Sequence, residues 1–251
     1  MSPTSLDQRP VALVTGGARG IGLAVARSLI VRGHRIVALD RDPPEDAKPD
    51  TDDFAWTCTD VTDTAAVDAA VAGAAARLGR IDVLVNCAGF NKHQPVATLE
   101  DSTWQSMMDV HVGGTLRTCR AAHRWLKESP HAAVVNFSSM GARIGRPRRA
   151  PYAAAKAGVE GLTRTLAIEW AADRIRVNAV CPGVVGTRMV KDNIARGAVD
   201  RASLLAGIPL GRFAEPEEIA NVVTFLACPE SSYVTGQVLV VDGGAVINGD
   251  W

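Results

Sequence analysis

Tyr152 and Lys156 stand four residues apart, a spacing that places a phenol and an ammonium on one face of a helix. An unperturbed phenol has a pKa near about 10, too high for efficient proton exchange at neutral pH. A neighbouring cation favours the phenolate and draws that pKa toward the working range. The pair can therefore pass a proton to or from a hydroxyl or carbonyl oxygen. An isolated Tyr-x-x-x-Lys is most often an exposed helix turn, so its meaning depends on the residues around it.

Far upstream, Thr15-Gly16-Gly17-Ala18-Arg19-Gly20-Ile21-Gly22 follows a short β-branched run and leads into a helical pattern. Gly16, Gly20 and Gly22 permit a tight turn and close backbone approach. The helix start, with Arg19 and Ile21 beside it, offers unpaired N–H groups and a positive dipole to a pyrophosphate. Asp40 closes the next strand, 18 residues beyond Gly22, where a carboxylate accepts hydrogen bonds from adenosine ribose hydroxyls. The same charge repels a 2′-phosphate, which favours NAD over NADP. Arg19 and Arg41 weigh the other way, since either guanidinium can pair with that phosphate once the carboxylate is neutralised.

Such groups need a scaffold, and hydrophobic periodicity supplies one. Residues 11–15, 36–40, 54–58, 81–86, 134–138, 175–180 and 238–241 read as short strands, buried on both faces and separated by helical stretches. The pattern predicts an α/β fold, a Rossmann-type doubly wound parallel sheet with helices on both faces, in a single domain over residues 1–251. Ile21, Val25 and Leu29 recur at helical spacing before Gly33, and Val67, Val71 and Leu78 before Gly79, so each glycine is placed to end its helix in a left-handed turn. Residues 1–9 read as a tail and 41–53, with three prolines and six acids, as a solvated loop. Residues 188–212 form a polar insertion with no strand of its own, in the position of a substrate lid.

The glycine spacing TGxxxGxG resembles that of the short-chain dehydrogenases/reductases, and from there the resemblance covers almost the whole chain. Asp60-Val61 resembles the family's adenine-contacting pair. Asn86-Cys87-Ala88-Gly89 resembles its NNAG turn, with Cys87 in place of the second Asn. Pro182-Gly183-Val184-Val185-Gly186-Thr187 resembles the PG motif whose backbone and Thr hold the nicotinamide carboxamide, and Asp242-Gly243-Gly244 follows the last strand as in the family. The resemblance implies an NAD(P)-dependent oxidoreductase, NAD favoured, moving a hydride between cofactor and a secondary alcohol or ketone. It makes Tyr152 the acid/base and Lys156 the partner of both phenol and cofactor ribose. Ser139, 13 residues before Tyr152, becomes the group that hydrogen-bonds the substrate oxygen, and Ser138 becomes structural.

One position departs from the pattern. His111, in Asp109-Val110-His111-Val112-Gly113-Gly114, stands where the family usually has an Asn that helps hold a water linking the Lys to solvent. Imidazole both donates and accepts, so His111 can take that role; a packing histidine is the other reading. Arg143, Arg146, Arg148 and Arg149 crowd the segment between Ser139 and Tyr152, as do His93 and Gln94 the stretch after the NCAG turn. A basic cluster at a substrate mouth suits a carboxylate, a phosphate or an acyl carrier, and suits equally a solvated loop or a subunit contact.

Composition narrows the alternatives. Lys plus Arg number 27 and Asp plus Glu 27, so no global field gathers nucleic acid or anionic membrane, and the arginines are not interleaved with stacking aromatics. Five scattered cysteines, Cys58, Cys87, Cys119, Cys181 and Cys228, form no metal-ligand pattern and read as reduced. Neither a signal peptide nor a membrane span is legible, which predicts a cytoplasmic protein. Two competing readings remain: a 3-oxoacyl-carrier-protein reductase using NADPH, and an idle NAD-binding regulator. The resemblance also implies a homo-oligomer, tetramer or dimer, pairing the helices over 104–126 and 152–170 and the last strand.

Overall fold

The run Val11–Thr15 is apolar at nearly every position because both of its faces are covered. A computed structural model of the chain describes residues 9–44, 52–197 and 199–248. Within them β1 (Val11–Thr15), β2 (Arg35–Asp40), β3 (Phe54–Cys58), β4 (Val83–Asn86), β5 (Ala133–Phe137), β6 (Arg176–Pro182) and β7 (Val238–Val241) form one parallel sheet in the order β3-β2-β1-β4-β5-β6-β7. The sheet is doubly wound, as the alternation of strand and helix implies. Alternate side chains of each strand serve opposite layers. Ala12, Val14, Val83, Val85, Val135 and Phe137 pack on α1 (Gly20–Val31) and α8 (Pro216–Ala227). Leu13, Leu84 and Val134 pack on α2 (Thr64–Leu78), α4 (Gly114–Leu126) and α5 (Ala150–Glu169).

Boundaries shift by a residue or two. The fourth strand begins at Val83 rather than at residue 81, preceded by Asp82, whose N–H still donates to the Val11 carbonyl at 2.9 Å and whose carbonyl accepts the Ala133 N–H at 3.0 Å. Its buried carboxylate accepts the Val11 N–H at 2.8 Å, the Ser129 hydroxyl at 2.5 Å and two bonds from Arg80. Arg80 and Ser129 hold that carboxylate below the usual range against the opposing effect of burial, which is the largest single influence. Gly33 and Gly79 take the left-handed conformation expected of them, at φ 83° and 80°. The helix expected over 104–126 runs as α3 (Asp101–Met108) and α4, joined by a π-helical turn, Asp109–Gly113, that contains His111.

Among the described residues the insertion after Thr187 carries no strand. It folds instead into two short helices, α6 (Arg188–Ala195) and α7 (Arg201–Ala206). The N-terminal residues 1–8 and the centre of the acidic loop, 45–51, lie outside the described residues, so the tail and loop expectations are not addressed. No helix among the described residues is long and apolar enough to cross a membrane.

A buried polar chain ties the middle strands to the helices behind them. Asn86 Nδ2 donates to Asn136 Oδ1 at 2.9 Å, and Asn136 Nδ2 donates to Thr163 Oγ1 of α5 at 2.9 Å. Thr118 Oγ1 of α4 donates to Asn86 Oδ1 at 2.6 Å. Removing the central member leaves buried donors and acceptors without their partners. Asn136→Ala is expected to lower the unfolding free energy by about 2–4 kcal/mol in urea titration. A loss under about 0.5 kcal/mol would mean the chain relaxes without cost.

Candidate active site

A cleft of about 1420 Å³ opens along the carboxyl ends of the strands, where the sheet order reverses between β1 and β4. Gly16, Arg19, Gly20, Ile21 and Gly22 line one wall, with Asp40, Arg41, Asp60 and Val61 at its far end. A Cβ on Gly22 would stand 2.1 Å from the Gly16 carbonyl oxygen, so the turn closes only without a side chain there. Arg19, the N-cap of α1, makes no side-chain capping bond, which leaves the helix's first N–H groups to the cleft. This cradle fits a dinucleotide pyrophosphate.

Asp40 braces the same turn, its Oδ2 accepting the Ala18 N–H at 3.1 Å and Oδ1 the Asp42 N–H at 3.2 Å. Arg19 is drawn aside by an ion pair to Asp42 at 2.8 Å. Asp60 accepts both N–H and hydroxyl of Thr62, and those bonds hold its carboxyl below the usual range. Ala88 and Gly89 line the middle of the cleft; Pro182, Gly183, Val185 and Thr187 line the wall opposite.

Two residues depart from their expected placement. The Asn86 side chain turns away from the cleft into the buried polar chain described above, so only its successors face the cofactor end. Gln94 does not line the cleft: its N–H donates to the Arg148 carbonyl at 3.0 Å and its Nε2 to the Thr98 carbonyl at 2.5 Å, pinning a loop. Thr15 is a residue whose part was not legible beforehand. Its Oγ1 accepts the N–H groups of Cys87 and Ala88, each at 3.1 Å, and so fixes the β4 turn against β1. The Cys87 thiol is pushed up to about 12 by burial and stays protonated at neutral pH.

Ser139, Tyr152 and Lys156 converge at the cleft floor. Ser139 follows β5 and caps the turn Met140–Ala142, its Oγ accepting the Gly141 N–H at 3.2 Å. Lys156 is 5% exposed, and its Nζ donates to the Phe137 carbonyl, the last of β5, at 2.7 Å. That Nζ lies 5.7 Å from the Tyr152 ring centroid. Burial draws the ammonium down to about 8. Tyr152 departs from the expectation of a phenol lowered by its lysine. Burial pushes its pKa up, with a hydrogen bond from Ser139 and the charge of Arg149 pulling the other way.

His111 is 2% exposed and packs edge-on to Tyr152, ring centroids 5.4 Å apart. Its Nε2 lies 2.8 Å from the Phe90 carbonyl oxygen, which assigns the proton to Nε2 and leaves Nδ1 as an acceptor. Nδ1 is buried with no hydrogen-bond partner among the described residues. A Cβ on Gly89 would come within 2.3 Å of the ring, so the imidazole and the glycine turn are a matched pair.

The four arginines separate into two kinds. Arg143 is held by Glu160 at 3.0 Å, and Glu160 also accepts the Ser138 hydroxyl at 2.8 Å. Arg148 is exposed, at a left-handed φ of 65°. Arg146 and Arg149 line the cleft with His93 and Met140. No group of three or more His, Cys, Asp or Glu able to hold a metal occurs among the described residues.

A sheet of this order with a glycine cradle and a Ser-Tyr-Lys floor defines a nucleotide-dependent oxidoreductase. A family model described as Enoyl-(Acyl carrier protein) reductase matches residues 16–246. The chain is 40% identical over 252 residues to the short-chain reductase protein NovJ of Streptomyces niveus, covering 96% of this chain and 95% of that protein. It is 37% identical over 250 residues to 3-oxoacyl-[acyl-carrier-protein] reductase FabG of Chlamydia muridarum, covering 96% and 98%. To cis-4-hydroxycyclohexanecarboxylate dehydrogenase of Sinomonas cyclohexanicum it is 40% identical over 240 residues, covering 93% and 95%. The ligand-free aldohexose dehydrogenase of Thermoplasma acidophilum superposes with a TM-score of 0.89 at 30% identity, covering 97% and 96%. The chain belongs to the short-chain dehydrogenase/reductase family, and it is an NAD(P)-dependent oxidoreductase.

Burial, reinforced by the charge of Lys156, draws the His111 imidazole down to about 3, against the Phe90 hydrogen bond. The imidazole is therefore neutral near neutral pH, with Nε2 donating to the Phe90 carbonyl. In a histidine-selective NMR titration, the signal that disappears in His111→Asn should stay flat between about pH 5 and 8. A midpoint inside that window would contradict the geometry.

Proposed function

We propose that the enzyme oxidises a secondary alcohol, or reduces the corresponding ketone, with Tyr152 as acid/base and NAD(H) as the favoured cofactor. The observation that carries this reading is the convergence of Ser139 and Tyr152 on one cleft floor above a lysine anchored to β5. Ser139 positions the substrate oxygen; Tyr152 takes its proton in oxidation and returns it in reduction. Lys156 holds the cofactor ribose and keeps a positive charge below the phenol. Gly16, Gly20, Gly22, Asp40, Ala88, Gly89, Pro182, Gly183, Val185 and Thr187 would hold the rest of the dinucleotide. Oxidised nicotinamide, when bound, supplies the hydride acceptor and a second positive charge that offsets the burial penalty on the phenolate. His111 would take the part of the family's relay Asn on the proton path to Lys156.

The preference for NAD rests on Asp40, whose charge stands where a 2′-phosphate would lie, and on Asp42, which occupies Arg19. The FabG relatives favour the reading as a 3-oxoacyl thioester reductase using NADPH, which the Asp40 carboxylate opposes. Intact Ser139, Tyr152 and Lys156 weigh against an idle regulator. Helices α6 and α7 form the side of the cleft above Thr187, a fitting place for a lid. Leu116 of α4, Ile168 of α5 and Leu239 and Val240 of β7 are exposed apolar residues, which supports a dimer or tetramer through those elements. We place the protein in the cytoplasm as one domain over 1–251.

Tyr152→Phe should lower kcat by about 100-fold or more while leaving the dissociation constant for NAD near wild type. Retention of a third of wild-type kcat would remove Tyr152 from the mechanism. By fluorescence titration NAD(H) should bind at least about tenfold more tightly than NADP(H), equivalent to ~1.4 kcal/mol. Tighter NADP(H) binding would shift the assignment to the thioester reductase.

A further inference from the structure

We infer that Arg149 is a carboxylate-recognition residue of the substrate pocket, so that the substrate is a hydroxy or keto acid whose carboxylate meets this guanidinium while its reacting carbon faces Tyr152. The inference deepens the alcohol/ketone reading above and rests on it. Arg149 is the N-cap of α5, three residues before Tyr152, and lines the same cleft as Ser139 and Tyr152. It is half-buried, and among the described residues no hydrogen bond or ion pair engages its guanidinium. The charges that act on it are Arg146, which is unfavourable, and the Tyr152 phenol; no carboxylate is among them.

Nearby acids are already committed. Glu160 takes Arg143, Ser138 and, more distantly, Arg164. The other carboxylates of the cleft belong to the β2–β3 end, Asp40, Asp42 and Asp60, or to the α6 and α8 wall, Asp192, Glu215 and Glu217. A cation withdrawn from water without a counter-charge is costly, and an incoming anion relieves that cost. The planar guanidinium fork matches a carboxylate bidentately, and the positive end of the 20-residue α5 adds to the same field. His93, whose pKa is drawn down by burial and by the charges of Arg149 and Arg148, lines the pocket as a second hydrogen-bonding group. Arg143 and Arg148 are excluded, the first by Glu160 and the second by its exposure.

Calorimetric titration with benzoate and its neutral isostere benzamide tests the site without relying on turnover. Wild type should bind benzoate at least about tenfold more tightly than benzamide. Arg149→Gln should abolish that advantage, Arg149→Lys should keep part of it, and the surface control Arg148→Gln should keep all of it. Equal binding of the two probes by wild type, or a benzoate advantage that survives Arg149→Gln, would overturn the inference. NADH formation from a cyclic hydroxy acid and from its amide separates the two levels of argument. A kcat/KM favouring the acid in wild type and lost in Arg149→Gln supports both. Turnover of the amide alone overturns the substrate class while the redox reading stands. Absence of turnover with either, alongside benzoate selectivity that Arg149→Gln removes, would support the anion site and overturn the cyclic hydroxy acid as its substrate.

Discussion

One hydrogen bond joins the chemistry to the scaffold: the Lys156 ammonium, buried beneath the cleft, donates to the Phe137 carbonyl at 2.7 Å. A buried ammonium must find an acceptor, and the end of β5 offers one because the strand's ladder stops there. That contact sets the rotation of α5 against the sheet. With α5 fixed, Tyr152 four residues earlier comes to lie over the cleft floor, beside Ser139 at the exit of the same strand. The catalytic geometry is thus a property of one strand end and one helix face.

The electrostatics of the floor are incomplete in the protein alone. Burial raises the phenol and lowers the ammonium, so both groups are drawn toward neutrality. Ser139 and Arg149 offset part of this at Tyr152. The balance is one in which the arrival of positive charge in the cleft has a large effect, because the low-dielectric surroundings that penalise the phenolate also strengthen its attraction to a cation. Carboxylates gather at the opposite end, where Asp40 braces the glycine turn and Asp42 occupies Arg19. The cleft therefore carries Asp40, Asp42 and Asp60 beside Arg19 and Arg41 near the glycine turn, and Arg146 and Arg149 on the Tyr152 side.

Strands were legible in the sequence because a parallel sheet covered on both faces leaves apolar runs with sharp ends. Their limits were less so: Asp82, just before β4, holds Val11, Ser129 and Arg80 through its side chain, a set of partners no local pattern reveals. The glycine turn and the Tyr-Lys pair were legible because the chemistry demands fixed spacing. Asn86 was not, since its amide serves a network with Asn136 and Thr118 that only the folded chain assembles. Thr15 was hidden for the same reason. His111 announced a departure, but its π-helical turn and its fit over Gly89 depend on tertiary contact. The arginine cluster looked uniform along the chain and separates only in space, where Glu160 claims Arg143 and leaves Arg149 facing the cleft.

The account depends on Lys156 being a buried ammonium with a pKa drawn down to about 8 by its surroundings. NMR titration of protein labelled with ¹⁵Nζ-lysine, compared with Lys156→Met, measures this directly. One lysine signal, absent from the variant, should titrate near about 8, well below the ~10.4 of an ordinary lysine. If every lysine in the wild-type protein titrates near the ordinary value, Lys156 is solvated and the active-site geometry described here is wrong.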